Sequence, residues 1–173
     1  MKVQELFMID LGEAFNTRCP TNWTIDSNGN SIGTFELNNY QYRILLQRVT
    51  IHDLIIANIA FYLWDQQTNQ WTTIPTMDSK YASQVIGAVV NAIHDKIASM
   101  QFDAIVFAAT TLSDKRMRIY NAIANRYVKH FGNIIENVPG PDNSLFTIVC
   151  TKQVSQNFTN EEIMELIYPI MEK

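Results

Sequence analysis

The sequence predicts an α+β domain: a mixed, mainly antiparallel sheet, laid down as an N-terminal meander and then α-β-α-β-β, with helices packed on it. Three observations predict it. The first half alternates apolar and polar residues between turn-forming asparagines, which is the mark of half-buried strands. The second half switches to helical spacing on either side of one short apolar run, "DAIVFAA". Two further apolar runs, joined by "PGPDNS", then lead into a strong helix-start signal.

Val3, Leu6, Phe7, Leu11, Ala14 and Phe15 fall at helical spacing, which predicts an N-terminal helix over 1–17. "DSNGNS" (26–31) holds Asn-Gly, whose two central positions are expected at positive φ in a hairpin turn, and Asn38-Asn39 marks a second turn. In "YQYRILLQ", Tyr40, Tyr42, Ile44 and Leu46 recur with period two, so one face of this strand is expected to be buried. "LIIANIAFYLW" (54–64) is apolar at nearly every position, as a central strand covered on both faces would be. "WTTI", stopped by Pro75, completes the meander.

Over 79–100, Val85, Val89, Ala92, Ile93, Ile97 and Met100 form one helical stripe. "DAIVFAA" (103–109) reads as a fully buried strand, and 114–131 as a helix of about five turns ended by Gly132. "NIIENV" and "LFTIVCT" are the closing strands. Thr159-x-x-Glu162 is a capping box, flanked by Phe158 and Ile163 as a hydrophobic staple, and predicts a C-terminal helix over 158–173 that Pro169 kinks or ends. No repeat or Pro/Gly-rich linker divides the 173 residues, so a single domain is expected.

Composition excludes several classes. With 47% hydrophobic and 11% aromatic residues, the chain has material for a core. Thirteen Lys+Arg against seventeen Asp+Glu leave a net charge of −4, whereas a nucleic-acid-coating protein is normally basic. Cys19 and Cys150 form no CxxC and read as reduced thiols. His52, His94 and His130 lack ligand spacing, so no metal is expected. Acidic residues interrupt the N-terminal apolar pattern, and no run reaches the ~20 residues of a bilayer-crossing helix, so a soluble, intracellular protein without a membrane partner is expected.

Lys115, Arg116 and Arg118 crowd the start of the helix at 114–131, which already carries partial positive charge from its unpaired N–H groups. An anion there would relieve the repulsion, because a phosphate accepts from both amides and guanidinium forks. The alternative is a solvated face whose stems cover the apolar stripe. Gly87, inside a good helical pattern, costs about 1 kcal/mol against alanine and signals close approach of a ligand or of packed backbone.

The order meander, helix, strand, helix, strand pair resembles the GCN5-related N-acetyltransferase (GNAT) family. Gln84-x-x-Gly87 matches half of that family's phosphate-loop motif, and Tyr120 falls where its general-acid tyrosine stands. Val89 and Ser113 depart from the motifs, standing where a small residue and an asparagine are usual. The resemblance implies a degenerate GNAT-like domain over 1–173. In such a domain Gln84, Gly87, Arg116 and Arg118 would bind acetyl-coenzyme A, and Tyr120 would protonate the departing thiolate. Glu36 and Asp53 have the chemistry of a base, but spacing selects neither.

The set Ser113, Arg116, Tyr120, Arg126 and Tyr127, with the opening "MKVQELF", also resembles small proteins of tailed bacteriophages, often described as acetyltransferase-like or of unknown function. That likeness implies a viral protein located in the virion or the host cytoplasm. Three readings follow. The first is a non-catalytic protein with a virion or host protein partner, using the meander aromatics Tyr40, Tyr42, Tyr62, Trp64 and Trp71 as an interface. The second is an acetyl-coenzyme A-dependent N-acyltransferase. The third is a phosphate- or nucleic-acid-binding protein using the basic helix, against which the net charge counts.

Overall fold

The structure, a computed structural model, describes residues 16–72, 79–109 and 132–172. The expected N-terminal helix, except Asn16 and Thr17, and the whole basic helix at 114–131 lie outside these residues. The meander contributes β1 (Asn22–Ile25), β2 (Ser31–Leu37), β3 (Tyr40–Ile51), β4 (Leu54–Asp65) and β5 (Gln70–Thr72). Then come helix α1 (Ser79–Ala98), strands β6 (Ala104–Ala109), β7 (Gly132–Pro139) and β8 (Leu145–Thr151), and helices α2 (Lys152–Asn157) and α3 (Asn160–Met171).

Hydrogen-bonded neighbours run β1-β2-β3-β4-β6-β8-β7, with β5 on β4. The pairs β1–β2, β4–β5, β6–β8 and β7–β8 are antiparallel, while β4 and β6 run parallel from Ile56↔Ala104 to Ile59↔Phe107. The fold is therefore α+β with a mixed, mainly antiparallel sheet. The chain divides into two compact units, Met1–Leu45 with Phe61–Met100 and Leu46–Ala60 with Gln101–Lys173.

The first unit joins most of the meander to α1. Phe35, Tyr42 and Ile44 are buried on its strands, and the Phe35 and Tyr42 rings stack at 5.1 Å. Burial pushes the Tyr42 hydroxyl pKa up, with the neighbouring Tyr40 adding to the effect. Tyr40 itself is exposed. The strand at 40–46 thus buries one face as expected, except at its first residue. Asn91 of α1 donates to the Thr17 carbonyl at 2.7 Å, Arg18 pairs with Asp95 at 3.0 Å, and the Lys96 ammonium lies 5.4 Å from the Trp23 ring.

Turn chemistry differs from expectation at one place. Of Asn28 and Gly29, only Gly29 takes positive φ, +81°. The connection is longer than a two-residue hairpin: Asp26 accepts from the Asn28 and Asn30 amides at 2.8 and 2.9 Å and from the Asn30 side chain at 3.0 Å. These bonds, led by the one from the Asn30 side chain, hold the Asp26 carboxyl below the usual carboxylate range. The two-residue turn with both φ positive sits instead at Asn38 and Asn39, φ +54° and +65°.

The second unit has its own turn of that kind at His52 and Asp53, φ +47° and +68°, which the sequence does not advertise because neither residue is glycine or asparagine. Its core gathers Ile56, Ala104, Val106, Ile135, Val138, Phe146, Ile148 and Cys150 from the strands with Val154, Ile163, Ile167, Ile170 and Met171 from the two helices. Asp103 clasps β4 to the start of β6. Its amide donates to the Ile55 carbonyl and its carboxylate accepts from the Ile55 amide, both at 2.7 Å. On β4, Ile56, Ala57 and Ile59 are buried, while the residues from Ala60 onward are only partly covered, short of the two-sided burial expected along the whole run.

Gly132 opens β7 at φ +125°, and a Cβ there would lie 2.7 Å from the Lys152 amide nitrogen, so backbone approach and conformation both require glycine. Farther along, the β7–β8 register shifts between Ile135 and Val138, with Asn137 at φ +55°, a β-bulge in the outermost strand.

The C-terminal signals hold locally. The Thr159 hydroxyl accepts from the Glu162 amide at 3.3 Å, and the Glu162 carboxylate accepts from the Thr159 amide at 2.7 Å. Phe158 packs against the core beside buried Ile163, as a staple should. Pro169 does not end the helix, which runs on to Met171. The short helix α2, with Thr151 as its cap, carries no signal that the sequence reading used.

Candidate functional site

Five residues were expected to carry a site. Arg116, Arg118 and Tyr120 lie outside the described residues, and with them the cationic turn. Gln84 and Gly87 both lie in the interior of α1, past its first turn. Only the first four N–H groups of a helix are free of i→i−4 bonds, so the amides of Gln84 and Gly87 are used by the helix itself. The Gln84 side chain is exposed and engaged: its Oε1 accepts from Asn38 Nδ2 at 3.1 Å. This ties α1 to the Asn38–Asn39 turn.

Gly87 is buried, and so are Val85, Ala88, Val89 and Val90 around it. Residues in direct succession point to different sides of a helix, so over 87–90 α1 is covered on more than one stripe. That supports packing as the reason for the glycine. Of the two carboxylates considered as bases, Glu36 is exposed on β2 and Asp53 is exposed in its turn.

Sequence reasoning passed over Arg43. It alternates with buried Tyr42 and Ile44 and so projects from the opposite face of β3. Its guanidinium carbon lies 4.2 Å from the centre of the Trp71 ring, a cation–π stack. Trp71 is in turn paired across the β4–β5 ladder with Trp64, edge to face at 5.2 Å. Among the described residues buried Arg43 Nε finds no hydrogen-bond partner, an omission that costs about 1–3 kcal/mol. Arg43, Trp64 and Trp71 are all half-buried. The signal was present as an arginine amid alternating aromatics, but the contact depends on cross-strand neighbours that spacing alone does not reveal.

Cys19 and Cys150 are both free. Burial pushes the Cys150 thiol up to about 12 and raises that of Cys19 as well, so neither is poised as a thiolate nucleophile. Among the described residues no three His, Cys, Asp or Glu side chains cluster as a metal site would require. Among them, too, no helix is long and apolar enough to cross a membrane. Comparison of the chain with family models, curated proteins and solved structures returns no match.

Proposed function

We propose that the chain is a non-catalytic protein-binding factor, a virion component or host-interaction protein of a bacteriophage, on an acetyltransferase-like order of elements. The observation that carries this reading is the Arg43–Trp71–Trp64 cluster. Arginine and tryptophan are the side chains most enriched at binding hot spots, and here they are pre-stacked on a half-exposed sheet face. A partner's carbonyl or carboxylate could satisfy the Arg43 guanidinium, and its apolar groups could complete the burial of both indoles. The engaged amides of Gln84 and Gly87 point the same way, since the phosphate-loop role implied by the resemblance requires amides free to donate.

Affinity capture with purified partner candidates from virions or infected cells tests it, comparing the natural chain with Arg43→Ala and Trp71→Ala. A specific partner should be retained by the natural chain and lost by both variants. Equal retention by all three sinks the assignment.

The acyltransferase reading keeps one observation in its favour, the parallel pairing of β4 with β6 after the α1 crossover. It predicts that millimolar acetyl-coenzyme A raises the melting temperature, by the linkage RT ln(1+[L]/Kd). On the protein-binding reading the melting temperature stays where it is.

A further inference from the structure

A second surface, in the other unit, has its own chemistry. Val138 and Pro139 at the end of β7, with Met164, Glu165, Tyr168 and Met171 of α3, line an open groove of about 370 Å³. Val138 and Met171 are buried at its floor, while Tyr168 is 44% exposed, among the most exposed large apolar side chains described. Its two methionines, Met164 and Met171, let it re-pack around different apolar shapes.

The charge that α3 brings to the groove has one sign. The sequence of α3, NEEIMELIYPIM, holds Glu161, Glu162 and Glu165 and no basic residue, and Glu172 caps its C-terminus. Glu162 is used in the capping box. Glu161 and Glu165, four apart on the helix, repel each other, and Glu172 sits at the negative end of the helix dipole. Neither described ion pair involves Glu161, Glu165 or Glu172.

From this apolar floor and the acidic residues of α3 beside it, we infer that the groove docks a basic amphipathic helix of a partner protein, with apolar anchors at i, i+3 or i+4 flanked by lysine or arginine. A second copy of this chain fits poorly. A two-fold contact would set Glu165 and Glu172 against the same acidic helix.

The probe is a synthetic peptide of about 18 residues, leucine at i, i+3, i+4 and i+7 and lysine elsewhere, with a twin carrying glutamate for lysine. Each is labelled and titrated with the full chain by fluorescence anisotropy. The lysine peptide should bind saturably, weaken several-fold as salt rises to about 0.3 M, and lose about tenfold in affinity with Glu165→Lys and with Tyr168→Ala. Both altered residues are exposed, so the melting temperature should hold. The glutamate twin should not bind.

Failure of the lysine peptide to bind, equal binding of both peptides, or indifference to both substitutions overturns the inference. So does a dimer in sedimentation equilibrium that Tyr168→Ala dissociates, which gives the groove to a second copy. Trp71→Ala should leave the peptide's affinity unchanged, so the two proposed surfaces can fail separately.

Discussion

Helices α1 and α3 are both rich in apolar residues, yet they use their circumference differently. In α1, burial runs without interruption from Gly87 to Val90 and resumes at Ala92, Ile93 and Ile97. In α3 the buried residues are Ile163, Ile167, Ile170 and Met171, a single stripe at helical spacing. Over 87–90 α1 leaves no side open, and its one exposed motif side chain, Gln84, is already bonded to Asn38. A striped helix keeps a face open. Motif positions in α1 therefore speak about packing, and α3 is the helix that keeps a face open.

The difference can be broken most forcefully by placing a charge on each helix. Val90→Lys should destabilise by roughly 3–5 kcal/mol, since it strands an unpaired ammonium in the core, whereas Tyr168→Lys should stay within about 1 kcal/mol. Urea unfolding of the two variants measures both. Comparable losses would mean that α3 is as enclosed as α1.

The next test is alkaline. Cys150 lies in the core cluster with α3, and burial pushes its thiol up to about 12 in the folded chain from an ordinary 9.0. A raised pKa favours the neutral, folded form. Its stabilisation is complete below about pH 9 and declines between 9 and 12, by about 1.4 kcal/mol per pH unit in that window. A pH series of unfolding curves with a Cys150→Ala control checks the sign. Iodoacetamide should modify Cys19 well before Cys150 in the folded chain, because only Cys19 is partly exposed.

Thr159→Ala should cost about 1 kcal/mol by removing the side-chain half of the capping box, with loss concentrated in α3 as read by amide exchange. The smallest effect is expected from Gln84→Ala. One exposed side-chain bond to Asn38 is lost, so stability should change by no more than about 0.5 kcal/mol and acetyl-coenzyme A should remain without effect. A larger response to that ligand in the natural chain than in the variant would restore Gln84 to a cofactor role.

What the sequence disclosed follows the range over which each signal acts. Thr159 and Glu162 were legible because a cap is closed within one helical turn. The strand at 145–151 and the run at 104–109 were legible because central strands are largely apolar. Asn28-Gly29 marked the β1–β2 hairpin but not its geometry, because a dipeptide signal says nothing of Asp26, which recruits two amides and lengthens the loop. The Arg43–Trp71 stack was illegible because its members come from β3 and β5, which the chain brings together through β4. Groove residues such as Val138 and Tyr168 belong to elements that are adjacent only after folding.

The irregularity at Glu136 and Asn137 has a consequence for how anything can attach at the outer margin of the sheet. A strand kinked there, with an imide nitrogen two residues on at Pro139, interrupts the ladder at this margin of the described sheet. Fibril-like stacking and donor-strand exchange are discouraged on that side. Visitors must instead be recognised by shape and charge, one contact at a time.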